Sequence, residues 1–216
     1  MNDLPVMLRV RGRRCVIVGG GAVAVRRAGA LSEAGAAVTV IAPRIDARMP
    51  AEVEQVTRPY QADDLADALL VVIATDDRAV NEQVAADAAR LKVLTNRADA
   101  PDDGDLSVPA HAHHGPVTIA VHTGGISAAA GAVIRRQLSE ALGEDWPRLL
   151  ATAAPFRERM QRSVSDRATR EAALRQLTDE HAMAVLRSGG VAALEAHCRG
   201  VYDKARQQDD KKVTAD

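Results

Sequence analysis

One stretch restricts the fold more than any other. Residues 15–18 read Cys-Val-Ile-Val, and Gly19-Gly20-Gly21 follow. A short apolar run ended by glycine is the pattern of a buried parallel strand. Residues 22–34 are rich in Ala, with Val, Leu and Arg, and stop at Gly35. That predicts a helix with a glycine end signal. Gly19-x-Gly21-x-x-Ala24 thus stands between a strand and a helix, where a dinucleotide fingerprint belongs. Gly19 lets the chain turn sharply off the strand. Gly21 lets backbone approach a pyrophosphate, whose charge the helix N–H groups and dipole then meet. Ala24 stands for the third glycine and is small enough to pack helix on sheet. Ala22 and Val23, in the first helical turn, complete the candidate phosphate cradle.

The pattern continues in the same rhythm. Residues 38–41 are a β-branched run ended by Pro43, 53–58 a weaker strand, and 69–74 the most apolar run of the chain. Asp63 and Asp64 mark a turn or helix start. A helix over 78–91 and a strand over 92–95 follow. Strand, helix, strand, strand, helix, strand at this spacing predicts a parallel sheet with right-handed crossovers.

After Asn96 the composition changes. Residues 98–116 are rich in Asp, Pro, Gly and His and carry no helical period. A strand at 117–121 and a helix at 127–142 follow. From Trp146 onward the pattern is helical, over 146–163, 166–177, 179–187 and 191–208, with Ser188-Gly189-Gly190 separating the last two. The expected fold is therefore α/β: a Rossmann-like parallel sheet domain (1–109), a small α+β segment (110–143) and a helical C-terminal domain (144–208). The polar end, 209–216, is expected to fray.

Composition removes several classes of function. Lys plus Arg number 28 against 29 Asp plus Glu, so no basic field recruits nucleic acid or an anionic membrane. Only Tyr60, Trp146, Phe156 and Tyr202 are aromatic, too few for a base-stacking platform. Cys15 and Cys198 are far apart and form no CxxC pair, which argues against a disulfide framework or a zinc-thiolate site. No apolar stretch reaches the roughly 20 residues that a bilayer span needs. The start of the chain lacks the basic-then-apolar pattern of a signal peptide. The expectation is a cytoplasmic protein.

Candidate site residues fall at the ends of the predicted strands. Ala42-Pro43-Arg44 ends the second strand, where an acid usually grips the adenosine ribose; Arg without an acid leans toward NADP, although Asp46 is close by. Thr75-Asp76-Asp77 ends the central strand, suited to a cofactor contact, a helix cap, or both. Asp99 follows the last strand of the sheet, where a carboxylate can act as general base, bind a cation, or simply close an Asx-turn before Pro101. Asp102, Asp103 and Asp105 are rivals. His111, His113, His114 and His122 cluster and can bind a divalent metal, shuttle protons, or simply stand on a surface loop; they match no standard zinc spacing, and no metal ligand is assigned. Thr123-Gly124-Gly125 and Ser127 join a strand to a helix, with hydroxyls able to cap it or bind an anion. Arg135 and Arg136 lie two turns on; with Arg157, Arg159 and Arg162 they can meet an acidic ligand or remain a solvated face.

These pieces, in this order, resemble the precorrin-2 dehydrogenase family of siroheme synthesis. That family includes stand-alone dehydrogenases, dehydrogenase–ferrochelatases and the N-terminal region of siroheme synthases. The resemblance rests on Leu4-Pro5, Gly12-Arg13, the run from Val16 through Gly19-Gly20-Gly21 to Ala24, and Arg26-Arg27. It continues through Gly35 to Pro43, Asp64-Leu65, Ala74-Thr75-Asp76-Asp77 with Asn81, Asn96, Asp99-Ala100-Pro101, Pro109, and Ala120 to Gly125 with Ser127.

The resemblance implies an enzyme that oxidises precorrin-2 to sirohydrochlorin with NAD, which outweighs the lean of Arg44 toward NADP. It implies Asp99 as the catalytic residue. Gly19, Gly21, Ala22, Val23, Pro43, Arg44, Thr75 and Asp76 then hold the cofactor. Thr123, Gly124, Ser127 and Arg135 hold the tetrapyrrole. It further implies a homodimer formed through 110–143 and a helical domain that encloses the macrocycle. Chelation of Fe²⁺ or Co²⁺ as substrate stays open. Departures cluster on the tetrapyrrole side: Arg97 in an apolar place, Leu106-Ser-Val-Pro109, His113-His114-Gly115-Pro116, and Ala128 after Ser127. Ala22 replaces a frequent acid. These departures leave two alternatives, a non-catalytic NAD-sensing or tetrapyrrole-binding protein and a chelatase alone.

Overall fold

The computed structural model describes residues 3–213. The chain divides into two compact units, 1–108 and 109–216.

The first unit is built on a five-stranded, all-parallel sheet in the order β3-β2-β1-β4-β5. The strands are β1 (Arg14–Val18), β2 (Ala37–Ile41), β3 (Glu54–Val56), β4 (Leu70–Ile73) and β5 (Leu94–Arg97). The order is that of a doubly wound nucleotide-binding sheet, reversing direction between β1 and β4. Register follows the apolar runs: Val16 lies between Thr39 and Val71, and Val18 between Ile41 and Ile73. Strands buried on both faces need no alternation, which is why β4 reads Leu-Val-Val-Ile without a polar residue.

Helix α1 (Ala22–Glu33) covers one face. Ala24 and Ala28 are fully buried against Ile17, Val40 and Val72, as the small third residue of the fingerprint requires. Helix α2 (Arg78–Leu91) packs Val84 and Ala88 among Val16, Val71 and Ile73 on the other side of the core. It ends at Lys92, whose φ of 57° is left-handed, so the strand expected from residue 92 begins at Leu94 instead. The Asp63–Asp64 signal is a short 3₁₀ turn over Ala62–Leu65. Cys15 is wholly buried, and desolvation pushes its thiol up to about 11; it behaves as a small apolar core residue.

The second unit contains a hairpin of β6 (Ala110–His114) and β7 (Val117–Val121), with α3 (Ala128–Leu142) packed on it. Strand β6 falls in the stretch read only as loop-rich. Ala and His carry little strand preference by themselves; pairing with the β-branched β7 supplies it. The turn is Gly115-Pro116, with Gly115 at φ 55° in the first position, as a II′ hairpin turn requires.

Helices α4 (Asp145–Ser163), α5 (Arg167–Gln176) and α6 (Glu180–Val213) pack on one another around Leu149, Phe156, Met160, Leu177, Leu194 and Cys198. Gly190 breaks α6 with a φ of 71°, where the Ser-Gly-Gly signal stands. The end expected to fray from 209 is helical through Val213; 214–216 lie outside the described residues. Among the described residues, no helix is long and apolar enough to cross a membrane.

Candidate active site

Parallel pairing brings the carboxyl ends of β2, β1, β4 and β5 to one rim of the sheet. In sheets of this kind, ligands bind at that rim, where strand order reverses. The glycine turn after β1 is fastened to its neighbours by backbone bonds. Gly19 N–H donates to Ile41 O at 3.0 Å, and Asp46 N–H donates to Gly20 O at 2.9 Å. A Cβ on Gly19 would lie 2.2 Å from Ala74 O, and one on Gly20 2.1 Å from Arg44 O. These two glycines let the turn sit against β4 and the segment after β2. A Cβ on Gly21 would meet nothing within 4 Å. It faces open space at the start of α1. No side chain caps this helix, and no acid occupies its first turn. An anionic ligand therefore meets the positive helix end without a competing carboxylate. Ala22 stands in that first turn, and no carboxylate there weakens the helix end. The cradle fits the pyrophosphate of a nicotinamide dinucleotide.

At the end of β2, Pro43 and Arg44 are exposed. The Arg44 side chain has no hydrogen-bond or ion-pair partner among the described residues. Asp46, the nearby acid, is gripped by Arg48 at 2.7 and 3.0 Å. Those bonds hold its carboxyl down to about 2.

At the end of β4, Thr75 and Asn81 lock together. Thr75 Oγ1 donates to Asn81 Oδ1 at 2.6 Å, and Asn81 Nδ2 donates to Thr75 O at 3.1 Å. Asp77 caps α2, accepting from the N–H groups of Ala79 and Val80 at 2.9 and 3.2 Å. Capping therefore falls to Asp77, and the exposed Asp76 is left at the rim.

Just past β5 stands Asp99. Its carboxylate takes two bonds from Arg97, whose guanidinium also donates to Glu82 at 2.8 Å. These bonds hold the Asp99 carboxyl below the ordinary carboxylate range, with Asn81 adding to the effect. Thr75, Asp76, Asn81, Glu82, Arg97 and Asp99 line one cleft of about 470 Å³.

A family described as NAD(P)-binding matches residues 6–110. The siroheme synthase of Nitrosospira multiformis is 36% identical over 179 residues, 79% of this chain and 38% of that protein. The siroheme synthase of Methylococcus capsulatus is 38% identical over 171 residues, 77% of this chain and 36% of that protein. The chain thus spans well under half the length of these curated relatives. The solved structure of SirC, a precorrin-2 dehydrogenase, superposes with a TM-score of 0.73 at 25% identity, covering 92% of this chain and 100% of that one. The chain is thus similar to siroheme synthases over part of their length and, in fold, to a precorrin-2 dehydrogenase.

The predicted site residues fall into two groups. Gly19, Gly21, Ala22, Val23, Pro43, Arg44, Thr75, Asp76 and Asp99 share the rim of the first unit. Thr123, Gly124 and Ser127 stand at the start of α3 in the second, and Arg135 two turns into that helix. Thr123 Oγ1 donates to Ser127 O at 3.0 Å and accepts from Ser127 N–H at 3.2 Å. Ser127 Oγ caps α3 by accepting from Ala130 N–H at 3.1 Å. Gly124 and Gly125 are left-handed, at φ 60° and 76°, and bend the chain between strand and helix. Arg135 is half-buried on α3, whereas Arg136 is exposed beside Glu140. Arg159 stacks on Phe156, and Arg162 pairs with Glu158, so these two read as surface contacts.

Asn81 and Glu82 were not singled out as site residues by the sequence. Asn81 has a signal in retrospect: it lies one helical turn beyond the Asp77 cap and is buried, an odd place for an amide. Glu82 carries none, since it becomes relevant only through Arg97.

Proposed function

We propose that the chain is an NAD-dependent dehydrogenase of precorrin-2, giving sirohydrochlorin in siroheme biosynthesis. One observation carries the reading. An ionised carboxylate, Asp99, shares a cleft with Thr75 and Asp76 at the rim of an NAD(P)-binding sheet. A bound nicotinamide supplies the hydride acceptor. The backbone at Gly19 and Gly21, with the N–H groups of Ala22 and Val23, holds the pyrophosphate. Pro43 and Arg44 flank the adenosine end, and Thr75 and Asp76 the other. The oxidation removes one hydride and one proton from the macrocycle. Asp99 takes the proton and, because its basicity is low, passes it on to water. Holding donor and acceptor carbons together is the larger service.

Thr123, Gly124, Ser127 and Arg135 form the second group, placed to meet the polycarboxylate macrocycle; Arg135 brings the cation. The homodimer fits α3, which exposes Val133, Ile134 and Leu138 on its surface. The buried free thiols of Cys15 and Cys198 suit a reducing compartment, and the enzyme is placed in the cytoplasm.

A second reading of the cofactor, NADP, has its own support: Arg44 has no partner among the described residues, and Asp46 is already held by Arg48. An anaerobic assay with precorrin-2 decides. NAD⁺ and NADP⁺ are compared while reduced cofactor and sirohydrochlorin are followed together. Equal amounts of both products with NAD⁺ support the reading. Tight NAD⁺ binding without turnover overturns it in favour of a sensor or carrier. Fe²⁺ or Co²⁺ added afterwards tests metal insertion, and insertion without any nicotinamide requirement identifies a chelatase alone.

A further inference from the structure

The β6–β7 hairpin carries a pair of imidazoles that the dehydrogenase reading does not use. His111 and His113 are two residues apart on β6, so they share one face of the hairpin. Their rings meet edge to face with centroids 5.7 Å apart. His111 Nδ1 lies 3.0 Å from the carbonyl oxygen of Pro109. A carbonyl only accepts, so Nδ1 carries the proton and Nε2 keeps its lone pair. His113 Nδ1 lies 3.0 Å from Thr118 Oγ1. That hydroxyl can donate or accept; when it accepts, His113 takes the same tautomer as His111. Neither Nε2 has a hydrogen-bond partner among the described residues.

One ring nitrogen held by an oxygen and the other open is how metal-binding histidines are oriented. Two imidazoles on one tetrahedral ion, each nitrogen about 2.0–2.1 Å from the metal, place their ring centres roughly 5 Å apart. Small rotations of the two rings close the difference. Among the described residues, no three His, Cys, Asp or Glu side chains converge, so the hairpin offers two protein ligands and no more.

We propose that His111 and His113 together form a two-imidazole site for one divalent transition-metal ion, with water completing its coordination. Imidazole selects Co²⁺, Ni²⁺, Cu²⁺ and Zn²⁺ over Mg²⁺ and Ca²⁺. Affinity rises from Co²⁺ through Ni²⁺ to Cu²⁺. Because only the neutral ring binds, affinity falls as the solution is made acid. The site stands apart from the dehydrogenase reading and survives its failure.

The test is calorimetric titration of the untagged full chain with Ni²⁺ and Zn²⁺ at pH 7.5. One ion per chain is expected. H111A and H113A should each weaken binding at least tenfold, and the double variant more. Binding by the double variant as tight as that of the unmodified chain overturns the proposal. So does loss of binding on removing His181 and His197, the other ring pair, whose centroids are 5.1 Å apart. A second readout needs no variant. Substoichiometric Ni²⁺ should broaden the ring signals of His111 and His113 first in a nuclear magnetic resonance spectrum. Earlier broadening of other histidines also overturns the assignment.

Discussion

Arg97 holds Asp99 at two points. Nε lies 3.3 Å from Oδ1 and Nη2 2.9 Å from Oδ2, with the Arg97 side chain 6% exposed. A guanidinium keeps its charge at any working pH, so the pair cannot be dissolved by deprotonating the arginine. Its planar fork also fixes the direction of the carboxylate. Arg97 is thus a positioning residue for Asp99, and Glu82 steadies it from the other side.

The pH dependence of the reaction follows with a definite sign. Asp99 has a lowered pKa, so it stays ionised until the pH falls through that lowered value. An unperturbed Asp titrates at about 3.9. In the unmodified enzyme, Asp99 should therefore produce no acid limb in kcat/KM above about pH 4. Arg97→Met should move such a limb upward into the measurable range. Asp99→Asn should lower kcat by about 10² or more while NAD⁺ affinity stays within about threefold. A fall in NAD⁺ affinity equal to the fall in kcat would show that Asp99 serves cofactor binding instead.

The three glycines of the turn should separate fold from cofactor. Gly21→Ala adds a methyl in open space. The apoprotein should lose about 0.5–1 kcal/mol, since alanine is a poorer helix N-cap than glycine. Its dissociation constant for the cofactor should rise at least tenfold if that space is the pyrophosphate cradle, as proposed. Gly20→Ala drives a methyl into the Arg44 carbonyl and should lower both melting temperature and cofactor affinity. Equal cofactor affinity in Gly21→Ala and the unmodified chain, by isothermal titration, would place the phosphate elsewhere.

Much of this rim was legible in the sequence. The runs at Cys15–Val18 and Leu69–Ala74 have no polar residue, so only a buried parallel strand suits them, and the glycines between β1 and α1 locate the switch point. The network around Asp99 was less legible. Arg97 was visible as a charge in an apolar place, but its second partner, Glu82, lies on α2, and only tertiary packing brings it there. Strand β6 was hidden for a similar reason. Its Ala and His residues state no preference, and the strand exists because Val117–Val121 folds back on it across Gly115-Pro116. Lys92 in a left-handed cap moved the start of β5 by two residues, a shift that propensity does not reveal.

Asp77 offers a stability test at the same rim. Its carboxylate caps α2 with two backbone bonds. Asp77→Ala should cost about 1 kcal/mol. In a chain of this size that lowers the melting temperature by about 2–4 °C. Thermal unfolding followed by circular dichroism measures it. An unchanged melting temperature would mean that the Thr75–Asn81 bonds hold the helix start without the cap.

Helix α3 exposes Val133, Ile134 and Leu138 at between 41% and 47% of their surface. Ile134 and Leu138 are four residues apart, on one side of the helix. If this stripe closes the homodimer, the Ile134→Glu, Leu138→Glu double variant should be monomeric by light scattering on a sizing column, with its helical signal intact. A variant that remains dimeric would move the interface off this stripe.

Arg44 offers a test of the cofactor preference. Among the described residues its side chain has no partner, while the carboxylate of Asp46 is committed to Arg48. A ribose 2′-hydroxyl calls for an acceptor, and a 2′-phosphate for a cation. With NAD as cofactor, Arg44→Ala should change KM for NAD⁺ by less than about twofold. The same substitution should raise KM for NADP⁺ about tenfold, the equivalent of about 1.4 kcal/mol. The NADP⁺ effect should shrink in high salt, because the contact is exposed. Should the unmodified enzyme turn over NADP⁺ with the higher kcat/KM, the free arginine has outweighed the family preference, and NAD is the wrong cofactor for this chain.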